Sequence, residues 1–156
     1  MQYTSGSSRA TSIDHEYSIP QYETERPYVV VVDDDESILS VVMLLLATEG
    51  YTGVGFTESE QVLPFLEEMG KRGEQHLPTL IILDLMMPRV SGYEIAAALS
   101  QNESYKHISI LIMTADARIC DKNAVPGADD WLSKPFHIDA LIKKLEHYLA
   151  PVSIRR

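Results

Sequence analysis

The sequence predicts an α/β domain: a doubly wound, five-stranded parallel sheet with five helices, in a single domain. Three observations lead there. Short, apolar, β-branched runs alternate with segments of helical periodicity. The alternation is strict, strand then helix, five times over. The strands are apolar on both faces, as in a sheet covered by helices on both sides.

Each element has its own signal. Residues 28–32 read YVVVV, too short for a helix and too apolar for an exposed strand. Ile38, Val41, Val42, Leu45 and Leu46 recur at helical spacing, and Gly50 can close that helix. Residues 51–56 form a second strand. Residues 59–69 place Val62, Phe65, Leu66 and Met69 on one helical face, with Pro64 able to shift the start or bend the helix. Residues 80–83 are the third strand. Residues 91–99 form a helix with Ile95, Ala98 and Leu99 inward. Residues 108–113 are the fourth strand. Residues 117–125 are a short helix of weak pattern, stopped by Pro126 and Gly127. Residues 130–132 are a brief fifth strand. Ile138, Leu141, Ile142, Leu145 and Leu149 mark the last amphipathic helix.

Around this core, residues 1–26 are rich in Ser, Thr, Tyr, Glu and Gln and read as a flexible N-terminal arm. Its Tyr3, Tyr17 and Tyr22 could dock on a partner or on the domain, but a solvated tail is the simpler reading. The domain runs over 27–150, and 151–156 form a short tail. With a net charge of −10, the chain is a poor candidate for binding nucleic acid or an anionic membrane. One cysteine, Cys120, forbids an internal disulfide and suits a reducing compartment. The N-terminus lacks the apolar stretch of a signal peptide, and no apolar run nears the ~20 residues that cross a bilayer. A cytoplasmic protein is expected.

In a parallel sheet of this kind, ligands bind beyond the carboxyl ends of the strands, near a switch in strand order. Those ends hold an unusual set. The first strand is followed by Asp33, Asp34 and Asp35, the third by Asp84, and the fourth by Thr114. Lys134 and Pro135 follow the fifth. Two carboxylates ~4 Å apart repel by about 4 kcal/mol at an effective dielectric near 20. Three would need a cation or would take up protons. Oxygen ligands without His or Cys select Mg2+ or Mn2+ over Zn2+. A carboxylate nucleophile, a metal, the Lys134 ammonium and the Thr114 hydroxyl together make a phosphoryl-transfer site. Singly, each residue has an ordinary explanation: Asp35 as a helix N-cap, Asp84 as a turn residue, Thr114 as packing, Lys134 as a solvated turn. Their joint arrival at separate strand ends carries the argument.

Four segments, VVVVDDDES, LIILDLMMPRVSG, ILIMTADA and GADDWLSKPF, resemble the receiver domains of bacterial response regulators in this order. The resemblance covers about 27–150 and implies a flavodoxin-like fold. It implies that Asp84 is the phosphorylated aspartate. Asp33 and Asp34 look like the acidic pair that holds Mg2+, or Mn2+ in its place, with Asp34 the direct ligand of the two. Asp84 and the backbone carbonyl of Met86 look like further ligands. Thr114 and Lys134 look like the residues that bond the phosphoryl oxygens, and the bond from Lys134 to Pro135 is expected cis. Trp131 stands where the family has its aromatic switch, usually Tyr or Phe. The implied partners are a sensor histidine kinase or a histidine phosphotransfer protein, with an output protein the sequence does not name.

Two departures stand out. The interval from Thr114 to Lys134 is about two residues shorter than the family pattern, as judged by alignment to it, and the loss falls in the weak fourth helix. That helix helps form the family's usual output and dimer face, so the shortening counts against the homodimer that the resemblance implies. The connector 70–78 is longer than usual and polar. Two rival readings fit less well. A haloacid-dehalogenase-type phosphatase needs a second Asp where this chain has Met86. A receiver-like interaction module that works without phosphorylation would keep the fold and lose the chemistry. Only 151–156 follow the last helix, so the chain either works alone through partners or belongs to a longer regulator or hybrid kinase.

Overall fold

The computed structural model describes residues 27–116, 118–119 and 124–150. The arm 1–26, the tail 151–156 and Cys120 lie outside them. Five strands form one sheet: β1 (Tyr28–Val32), β2 (Thr52–Phe56), β3 (Leu80–Asp84), β4 (Ser109–Thr114) and β5 (Asp130–Ser133). All four pairings are parallel, and the order is β2-β1-β3-β4-β5. The chain moves one way from β1 to β2 and the other way to β3. The switch in strand order therefore falls between β1 and β3, the strands that lead into Asp33 and end in Asp84.

Four α-helices appear among the described residues: α1 (Glu36–Thr48), α2 (Val62–Arg72), α3 (Gly92–Gln101) and α4 (Ile138–Leu149). The sequence led us to expect five. The missing one was expected over 117–125, of which 117 and 120–123 lie outside the described residues. What is described there is turn and bend, ending in the turn that holds Pro126 and Gly127. Proline and a glycine with φ of 84° do not continue a helix.

Side chains alternate along the strands and build two cores. Val30, Val32, Phe56, Ile81, Leu83, Ile110 and Ile112 pack with α2 and α3 on one face. Val29, Val31, Leu80, Ile82, Leu111 and Met113 pack with α1 and α4 on the other. Every residue of β1 and of β3 is buried, which is why neither strand shows the polar alternation of a half-exposed sheet.

Local chemistry sets the helix ends. Asp35 caps α1, its Oδ1 accepting from the Ser37 and Ile38 amides at 2.9 and 3.3 Å. Gly50, with φ of 82°, closes it: its amide donates to Ala47 and the Tyr51 amide to Leu46. Ser91 and Glu94 form a reciprocal capping box on α3. Pro64 lies in the first turn of α2, where its missing N–H costs nothing, and the chain ahead of it, Ser59–Gln61, is a single 3-10 turn. In the 70–78 connector, a turn at Glu74–His76 is held to β1 by the Tyr28 hydroxyl, which donates to the His76 carbonyl at 2.6 Å.

Candidate phosphoryl-acceptor site

The parallel register brings the expected residues to one edge of the sheet. Asp84 pairs with Met113, the residue before Thr114, and Thr114 pairs with Ser133, the residue before Lys134. Asp33 follows β1 directly, its amide donating to the Phe56 carbonyl at 3.1 Å.

Lys134 links the carboxylates. Its Nζ lies 2.6 Å from Asp33 Oδ2 and 3.4 Å from Asp84 Oδ2. Asp33 is fully buried, and its Oδ1 accepts from the Asp35 amide at 2.9 Å. Both Asp33 oxygens are thus engaged, whereas Asp34 beside it is exposed. Asp84 is almost fully buried, and its Oδ1 accepts from the Met86 amide at 3.3 Å. Thr114 is also buried. Its Oγ1 accepts from the Asp116 amide at 3.1 Å, and its carbonyl accepts from the Lys134 amide at 2.8 Å. The hydroxyl proton of Thr114 is not consumed by that accepted bond.

The electrostatics follow from burial and proximity. Burial, then the charge of Asp33, pushes the Asp84 carboxyl above its ordinary value; Lys134 and the Met86 amide oppose this without cancelling it. Burial pulls the Lys134 ammonium down, but its bond to Asp33 and the charges of Asp33 and Asp84 outweigh this and hold it above its usual value. One donor oxygen each from Asp33, Asp34 and Asp84 lies within 4.8 Å of the others. Three carboxylates against one ammonium leave an excess of negative charge, and the donor set is all oxygen. Both features fit a hard divalent cation.

Asp33, Asp34, Asp84 and Lys134 thus form one cluster, and Thr114 ends β4 at the same edge of the sheet. The Met86 side chain is 68% exposed at the rim. The Lys134–Pro135 peptide is cis, as the resemblance implied. Trp131 pairs with Ile112 across the ladder and packs, partly buried, against the core under α2 and α3. Its indole Nε1 is buried and has no hydrogen-bond partner among the described residues.

Two residues escaped the sequence reading. Gly92 opens α3 directly against the end of β3: a Cβ there would lie 2.1 Å from the Asp84 carbonyl oxygen. The glycine of the SG pair was the visible signal, but not the reason for it. Ser59 has a buried side chain, and its hydroxyl donates to the Pro88 carbonyl at 3.1 Å. A serine ahead of a helix reads as a cap, so nothing local announced it.

Known proteins share this fold and much of this sequence pattern. The model of the response regulator receiver domain matches residues 29–146. The DNA-binding dual master transcriptional regulator RpaA of Synechocystis sp. is 32% identical over 79% of this chain and 49% of its own length. The polar-differentiation response regulator DivK of Brucella ovis is 28% identical over 78% of this chain and 94% of its own. The chain thus spans about half the length of some curated relatives and nearly all of others. The response regulator protein TrrA of Thermotoga maritima, solved in complex with Mg2+-BeF, superposes with a TM-score of 0.66. It is 28% identical, over 79% of this chain and 99% of its own. With its strand order, its acidic edge and a family match over most of its length, this chain belongs to the response regulator receiver domain family.

Proposed function

We propose that this receiver accepts a phosphoryl group on Asp84 from the phosphohistidine of a sensor histidine kinase or a histidine phosphotransfer protein. Receiver domains as a family are phosphoacceptors that bind Mg2+ at an acidic pocket and meet such partners. The observation that carries the finer assignment is the shared ammonium: Lys134 reaches both Asp33 and Asp84 in one buried cluster.

The chemistry follows from the residues. Asp84 attacks phosphorus in line as the bond from phosphorus to the donor histidine nitrogen breaks. Lys134 takes up charge on one phosphoryl oxygen, and the Thr114 hydroxyl donates to another. Asp33, Asp34, Asp84 and the Met86 carbonyl would hold Mg2+, or Mn2+ in its place, which supplies neutralisation of oxygen charge when bound. Asp34, the exposed member, is free to bind it directly. The acyl phosphate then hydrolyses and resets the protein; in this reading the site assists both its own phosphorylation and its dephosphorylation. The added charge, roughly −1.5 to −2, draws Thr114 and Lys134 inward and shifts Trp131 and the surface around β4 and β5. That surface carries the signal to an output protein.

The test is an intact mass after incubation with Mg2+ and acetyl phosphate. One added phosphoryl group is expected, absent without Mg2+ and absent in Asp84→Asn. Normal labelling of Asp84→Asn would overturn the assignment. Binding of beryllofluoride with no covalent adduct would mean fast hydrolysis. Failure of both would favour the phosphorylation-independent interaction module.

A further inference from the structure

Among the described residues four polar side chains are buried: Asp33, Asp84, Thr114 and Ser59. Three form the site just described. The fourth is 3% exposed and makes its bond across 29 residues, from its hydroxyl to the Pro88 carbonyl. The residue after it, Glu60, pairs with the guanidinium of Arg89, the residue after Pro88. Two consecutive residues ahead of α2 therefore grip two consecutive residues behind β3.

The gripped segment is the one that matters to the site. It begins at Met86, whose amide bonds Asp84. It passes through Arg89, whose φ of 68° is a left-handed conformation that residues with a Cβ avoid. It ends at Gly92, seated against the Asp84 carbonyl. A backbone bent into that shape without glycine needs its neighbours to hold it.

We propose that Ser59 and the Glu60–Arg89 pair are positioning residues that fix the Met86–Pro88 backbone, so that the Met86 carbonyl meets the divalent cation held by the three aspartates. This rests on the site reading above. Neither Ser59 nor Glu60 touches the cation; they set the geometry of a ligand that has no side chain to adjust.

The experiment is a titration of metal-free protein with Mn2+, following the paramagnetic resonance signal of the free ion. Ser59→Ala removes one buried hydrogen bond, and about a five-fold loss of Mn2+ affinity is expected. Glu60→Gln, at the surface, keeps the fold safe and is expected to lose about two-fold. Leu141→Val, in the core on the other face of the sheet, is the control for general destabilisation; it lowers thermal stability and leaves Mn2+ affinity alone. Phosphorylation of Ser59→Ala should return to the unaltered level at saturating Mg2+. Unchanged Mn2+ affinity in both Ser59→Ala and Glu60→Gln overturns the clasp. Absence of Mn2+ binding by the unaltered protein overturns the site reading beneath it.

Discussion

Lys134 and Asp33 form a 2.6 Å ion pair between residues 101 positions apart, and Asp33 has no exposed surface at all. The same ammonium stands 3.4 Å from Asp84. Removing it leaves two buried carboxylates uncompensated. Lys134→Ala is therefore expected to destabilise the metal-free protein by about 3 kcal/mol. Denaturant unfolding in EDTA measures this, and added Mg2+ should recover part of the loss. Equal stability of variant and parent in EDTA would mean that the carboxylates are already neutral.

Gly92 makes a steric prediction. A methyl group there would meet the Asp84 carbonyl oxygen at 2.1 Å and Leu85 Cα at 2.7 Å, both backbone atoms. No rotamer relieves that. Gly92→Ala is expected to cost about 3 kcal/mol and to slow acetyl phosphate labelling, because α3 must move and the end of β3 with it. Gly70→Ala is the comparison, since its nearest neighbour would be a Leu77 methyl at 3.9 Å.

Asp130 predicts a pH dependence. Burial raises its carboxyl, but the bond from Lys144 at 2.7 Å, the Trp131 amide and the Lys144 charge outweigh that, and the net shift is downward. A lowered folded value stabilises above the unfolded value, near 3.9, and that stability is lost as pH falls through the folded value. Asp130→Asn is thus expected to be less stable at neutral pH by about 1 kcal/mol. The two unfolding curves should converge in acid. A gap that stays constant down to low pH would remove the charge from the explanation.

Trp131 is the only tryptophan and reports on its own environment. Its ring is partly buried with an unpartnered N–H. Adding Mg2+ and beryllofluoride is expected to shift its emission to shorter wavelength as the ring moves inward, and Asp84→Asn should abolish the change. An unaltered spectrum on a protein that binds beryllofluoride would exclude Trp131 as the switch.

The sequence was most informative where one residue's neighbours along the chain decide its fate. The apolar runs of β1 and β3, the Asp35 cap and the Gly50 stop were all readable, because burial pattern, cap and turn chemistry are local. The meeting of the candidate residues was readable because parallel strands place their ends together, whatever lies between them. Ser59 and Gly92 were not, since each depends on a contact with a segment that sequence spacing does not locate. The bulk of Trp131 was visible; its buried, unpartnered nitrogen was not. The expected helix over 117–125 rested on a weak pattern, and the described residues there are turn and bend.

The diagonal pairing of Asp84 with Met113, and of Thr114 with Ser133, also limits how chain length can vary. One residue inserted within β4 would turn Thr114 to the opposite face and leave Lys134 without its backbone partner. One residue inserted after Gly73, in the polar connector, would change no rung of the sheet. Length drift in this protein should therefore be tolerated between α2 and β3 and rejected within the strands, and a library of single-residue insertions would sort into these two classes.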